Sequence, residues 1–93
     1  MNSAAHVVNQ IRNAKKLVQS LALSQPGEAP WSALLTLLEA YEARVADHWP
    51  LSENEKEACR LGWFSVKNIE EAFPDLHAVI SDIAHDIRHS GEP

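Results

Sequence analysis

The sequence predicts an all-α fold: a small antiparallel bundle of three long helices and a shorter C-terminal helix. Apolar residues recur at spacings of three and four along most of the chain, the signature of amphipathic helices. Alternation at period two is scarce, and no Asn-Gly or Asp-Gly hairpin turn is present. Short turns between long helices favour antiparallel neighbours. The 93 residues, 45% of them hydrophobic, suit a single helical domain over 1–93 with a modest core.

The first helix is expected over about 3–23. Val7, Ile11, Ala14, Val18 and Leu21 fall on one side, with Val8 widening the stripe, while Arg12, Asn13 and Lys16 lie outside it. Pro26 and Gly27 mark a turn. The second helix, about 30–48, opens at Pro30, whose missing N–H costs nothing at a first helical position. Trp31, Leu34, Leu35, Leu38, Tyr41, Val45 and Trp49 load it so heavily that it is expected at the centre. Pro50 ends it, because a residue before proline is pushed from helical dihedrals.

The third helix, about 53–73, has the clearest start. Ser52 and Glu55 form a capping box, in which each side chain accepts an N–H that the helix leaves free. Cys59, Gly62, Trp63, Val66, Ile69 and Phe73 make its expected inward stripe. Pro74 is read as a break, and a last helix over about 75–90 turns Leu76, Val79, Ile80, Ile83 and Ile87 inward. Gly91 suits its stop and Pro93 a frayed end.

Charge and composition narrow the function classes. The net charge is −5, and every one of the 13 acids lies beyond residue 27, whereas Arg12, Lys15 and Lys16 precede it. An acidic chain repels nucleic acid and anionic lipid, so neither is an expected partner, and the surface suits a basic one. Asn9, Arg12, Asn13 and Lys16 form the one row that a small nucleic-acid-binding regulator would use, although those cations are expected to meet the chain's own acids. No segment has the apolar length of a membrane span. Met1 to His6 lacks the basic and apolar regions of a secretion signal, which gives a cytoplasmic expectation. Cys59 is the only cysteine, so no intrachain disulfide or cysteine-based zinc site is expected. It is expected as a buried structural thiol.

No phosphate loop, dinucleotide-binding glycine pattern or serine elbow occurs, so no catalytic residue or cofactor is assigned. Asp82, His85, Asp86 and His89 are the candidate metal ligands, since imidazoles four residues apart project together on a helix. With Ile83 at zero, His85 falls at roughly 200°, His89 at roughly 240° and Asp82 at roughly 260°, away from the core. A solvated polar face therefore outweighs a metal site. His77 has no catalytic partner nearby in sequence.

The anomaly is the third helix. Leu61 and Phe64 lie opposite its stripe and, with Asn68 and Ala72, give it a second apolar side. Either the monomer covers both sides, or Leu61 and Phe64 meet another chain, with off-stripe Leu17 adding a seam on the first helix. The expected function is a non-enzymatic protein–protein interaction module, self-associating as a homodimer. It would act as an adaptor, a chaperone-like binder or an inhibitor or immunity protein covering its partner. A divalent-metal-binding protein or metal-dependent enzyme built on the Asp/His helix is the competing class.

Overall fold

A computed structural model describes residues 3–57 and 59–89, all helix and connecting turn with no strand among them. The helices are α1 (Ala4–Ser24), α2 (Trp31–His48), α3 (Glu53–Glu57), α4 (Leu61–Asn68) and α5 (Pro74–Arg88). At about 1.5 Å per residue, the 21 residues of α1 account for most of the 38 Å long axis. None of the described helices is long and apolar enough to cross a membrane. The expected stop at Gly91 and the end at Pro93 lie outside the described residues, as does the side chain of Val66.

Local signals explain the helix ends. The Ser3 hydroxyl caps α1 by accepting from the His6 N–H at 3.2 Å, satisfying one donor that a helix start leaves free. After Ser24 the chain turns, and the Trp31 indole N–H closes the turn by donating to the Gln25 carbonyl at 2.8 Å. α2 ends at His48, ahead of Pro50 as expected, and the Trp49–Pro50 peptide is cis. The capping box forms in full: Ser52 N–H donates to Glu55 at 3.0 Å, and Glu55 N–H to the Ser52 hydroxyl at 3.2 Å.

α1, not α2, packs against both other long helices, which corrects the expected central place of α2. The reason is that α1 is buttressed along two sides, while α2 meets only α1 and, weakly, α4. The turn at residues 25–30 sets α2 antiparallel to α1. α5 runs antiparallel to α1 as well, since His6 faces Asp86 at 4.0 Å and Leu17 and Leu21 share a hollow with Pro74 and Leu76. The stripes predicted for α1, α2 and α5 supply most of the core. Val7, Ile11, Ala14 and Val18 meet Leu34, Leu38 and Val45 of α2 and Leu76, Ile80, Ile83 and Ile87 of α5, all essentially inaccessible.

The largest departure lies in the third segment. In place of one helix over 53–73 there are two, α3 and α4, followed by turns from Ile69 to Ala72. On one uninterrupted helix Cys59 and Leu61 would differ by about 200° and could not share a core. Breaking the helix re-phases them, and Cys59, Leu61 and Ile69 are all buried. The break is held at Arg60, whose N–H donates to the Tyr41 hydroxyl at 3.3 Å, while Cys59 N–H donates to the Lys56 carbonyl. α5 then starts at Pro74, the expected break. Phe73 packs edge-on against Trp31, their ring centres 5.1 Å apart.

The basic residues of α1 meet the chain's own acid. Arg12 Nε and Lys15 Nζ both donate to Glu42 at 2.9 Å, joining α1 to α2. The bonds from Lys15 and then Arg12 hold the Glu42 carboxyl below its ordinary value of 4.5. A lowered carboxyl pKa contributes stability above the unfolded value and loses it as pH falls through the folded one. Glu42→Gln is therefore expected to cost at most about 1 kcal/mol at neutral pH. The gap to the parent should narrow as pH falls below the ordinary 4.5 and close once the folded carboxyl protonates, as read from urea unfolding at neutral and at acid pH; a gap that is constant with pH would refute the charge assignment.

Candidate functional site

A groove of about 540 Å³ runs between α4 and α5, which pack directly on one another. Its floor is made of Cys59, Gly62 and Ala84. Gly62 faces Ala84 across the seam, where a Cβ would stand 3.7 Å from Ala84 Cβ in ordinary contact, so the approach of the helices leaves room for one. His77, Ser81, His85, Arg88 and His89 project from α5 at helical spacing to form one wall. Trp63 forms the opposite lip, 62% exposed. This corrects its expected place in the core. α4 turns Leu61 and Ser65 inward, which leaves Trp63, about 200° from Leu61, facing out.

A polar network fixes the two helices together. Ser65, fully buried, lies 2.8 Å from His77 Nδ1 through its hydroxyl. On the other side of the ring, His77 Nε2 is 3.1 Å from a Glu70 carboxylate oxygen and 3.3 Å from the Ser81 hydroxyl. The fold thus gives His77 the close partners that its sequence neighbourhood lacks, from twelve residues upstream and from the turn after α4. Below this network, Tyr41 accepts from Arg60 N–H. Burial, and then the neighbouring Cys59 thiol, raise the Tyr41 phenol above its ordinary 10.0, while the Arg60 bond pulls it back.

The candidate metal ligands part company. His85 and His89 enter the groove with ring centres 4.4 Å apart. Asp82 is exposed and is not part of the groove, and Asp86 is turned toward α1, where it faces His6. Among the described residues no three His, Cys, Asp or Glu side chains come together to hold a metal ion. Spacing along one helix brings the imidazoles together but sends the carboxylates elsewhere.

The candidate interface residues also separate. Leu61 is fully buried and Phe64 half-buried against the core, so of the two alternatives for this side the protomer itself supplies the cover. The helix break is the cause, because it turns that side inward. Asn68 is exposed, and its amide donates to the Phe64 carbonyl at 3.1 Å. Leu17, 37% exposed, and Ala72 do come together, lining a smaller hollow of about 230 Å³ with Leu21, Phe73 and Leu76.

Sequence reasoning missed Trp63 and its setting. The signal available was Arg60, Trp63 and Lys67, spaced i, i+3 and i+7: an aromatic side chain between two cations on one helical edge. The chain matches no protein-family model, none of the curated proteins and no solved structure.

Proposed function

We propose that the chain is a non-enzymatic protein-interaction module that docks a partner in the α4–α5 groove and acts by covering or organising it. The observation that carries this reading is the exposure of Trp63 at the lip of a groove with an apolar floor. Exposed tryptophans covered at an interface are the commonest hot spots, worth about 2 kcal/mol or more when truncated, and Trp63 is placed to act as one. The non-enzymatic part rests on the His77 network. In a nucleophilic triad the hydroxyl and the acid occupy opposite nitrogens of the imidazole. Here Ser81 and Glu70 share Nε2, and the hydroxyl at Nδ1 belongs to fully buried Ser65. Self-association through the same face is the homodimeric form of this reading.

Trp63→Ala tests it. Because the indole lies outside the core, the variant should keep the parent's helical spectrum and melting temperature to within about 0.5 kcal/mol of stability. It should also lose a stoichiometric partner captured from native extract, or the parent's dimer mass in sedimentation. A folded Trp63→Ala protein that holds the same partners and mass as the parent would reject the groove as the docking surface.

A further inference from the structure

The groove has a charge of its own, opposite to that of the chain. Although the protein carries 13 acids, none of the residues lining the groove is Asp or Glu. Arg88 lines it, and Arg60 and Lys67 flank Trp63, with Lys67 Nζ 6.0 Å from the indole centre. Of the chain's five other cations, Arg12, Lys15 and Lys56 each meet a carboxylate, Arg44 lies over the Tyr41 ring, and Lys16 forms no ion pair among the described residues. Among the described residues no carboxylate comes within ion-pairing distance of Arg60, Lys67 or Arg88. The nearby acids do not pair with these cations: Glu70 is held on His77 at the groove's end, Asp86 faces His6, and Glu53 and Glu57 share a second hollow with Lys56 and Arg88, where Glu53 pairs with Lys56.

We infer that the partner segment seated in this groove is an acidic polypeptide stretch, with an apolar side chain against Trp63 and flanking carboxylates on Arg60, Lys67 and Arg88. This rests on the docking reading above and adds the chemistry of the occupant. Charge complementarity selects it, since exposed cations without carboxylates draw an anionic segment and repel a basic one. The whole-chain charge, which on its own suits a basic partner, is screened beyond about 10 Å, so the groove's local charge governs a segment lying inside it. A polyphosphate fits less well, because most of its length would run over the acidic remainder of the chain. The lining on α5 runs from His77 to His89, roughly 18 Å of helix, the span of about five extended residues.

The test uses the isotope-labelled full chain and three sets of short synthetic peptides. Each peptide has a central Leu or Phe flanked by Glu, by Gln or by Lys. The Glu peptides are expected to shift the Trp63 indole signal saturably, with affinity falling as salt is raised. Arg60→Glu with Arg88→Glu should weaken them more than about tenfold and bring in the Lys peptides instead. Equal or tighter binding of the Gln or Lys peptides to the parent overturns the acidic assignment but leaves docking in the groove standing. A Trp63 signal moved only by oligothymidylate, or only by self-association, also overturns it. If no peptide set binds, the assignment fails, and Trp63→Ala then decides separately whether the docking reading falls too.

Discussion

Replacing Leu61 with aspartate is expected to unfold the protein rather than to detach a partner from it. Leu61 sits at the start of α4 with no exposed surface, packed into the same core as Ile80, Ile83 and Ile87. Truncation alone, Leu61→Ala, removes buried methyl groups and leaves a cavity, at a cost of about 2–5 kcal/mol. Aspartate adds an unpaired charge in that space, a further penalty of several kcal/mol. Small domains have only about 5–15 kcal/mol in total, so Leu61→Asp should remove the cooperative unfolding transition, and Leu61→Ala should shift its midpoint sharply. Phe64, only partly buried, should tolerate alanine better than Leu61 does. Circular dichroism with urea titration reads all three. A folded Leu61→Asp protein of parent stability would return Leu61 to the surface and revive the second apolar side as an interface.

Why Leu61 was open to two readings shows where periodicity informs and where it fails. α1, α2 and α5 each carry one apolar stripe, and one stripe has one solution: Val7-Ile11-Ala14-Val18, Leu34-Leu38-Val45 and Ile80-Ile83-Ile87 all face the core. The segment after Ser52 carries two, and a pattern with two stripes fits either a helix covered on both sides or two helices out of phase. What decides is a tertiary bond, Arg60 N–H to the Tyr41 hydroxyl, nineteen residues away. No window along the sequence contains it.

The groove was hidden for a related reason. Its two walls lie in different helices, and its character depends on which side of α4 faces out. Once the break turns Leu61 inward, Trp63, Arg60 and Lys67 follow as the outer edge. The imidazoles of His85 and His89 were legible as a pair because they share a helix. The carboxylates are not their companions: Asp82 stays exposed outside the groove, and Asp86, roughly 60° farther round the helix than His89, is turned toward α1.

The network that holds the groove together should be measurable as coupling. His77 and Ser65 are each other's partner across the α4–α5 seam, and only one of them can reach solvent. Removing the ring by His77→Ala leaves the Ser65 hydroxyl buried, and an unsatisfied buried group costs about 1–3 kcal/mol. A helical serine can turn back to the carbonyl four residues earlier, which keeps that cost toward the lower end. Ser65→Ala deletes the buried hydroxyl itself and leaves His77 with Glu70 and Ser81, so it should cost less, about 1 kcal/mol. With the ring already gone, deleting the hydroxyl removes a liability, and the double variant should be no less stable than His77→Ala alone. The resulting coupling of about 1 kcal/mol exceeds the roughly 0.5 kcal/mol within which independent sites add. Strict additivity in a urea-unfolding cycle would show the bond to be energetically idle. The same contact sets the spacing of the groove walls. His77→Ala should therefore weaken whatever binds beside Trp63 even in samples that remain fully folded, whereas Glu42→Gln, on the far side of the bundle, should leave that binding unchanged.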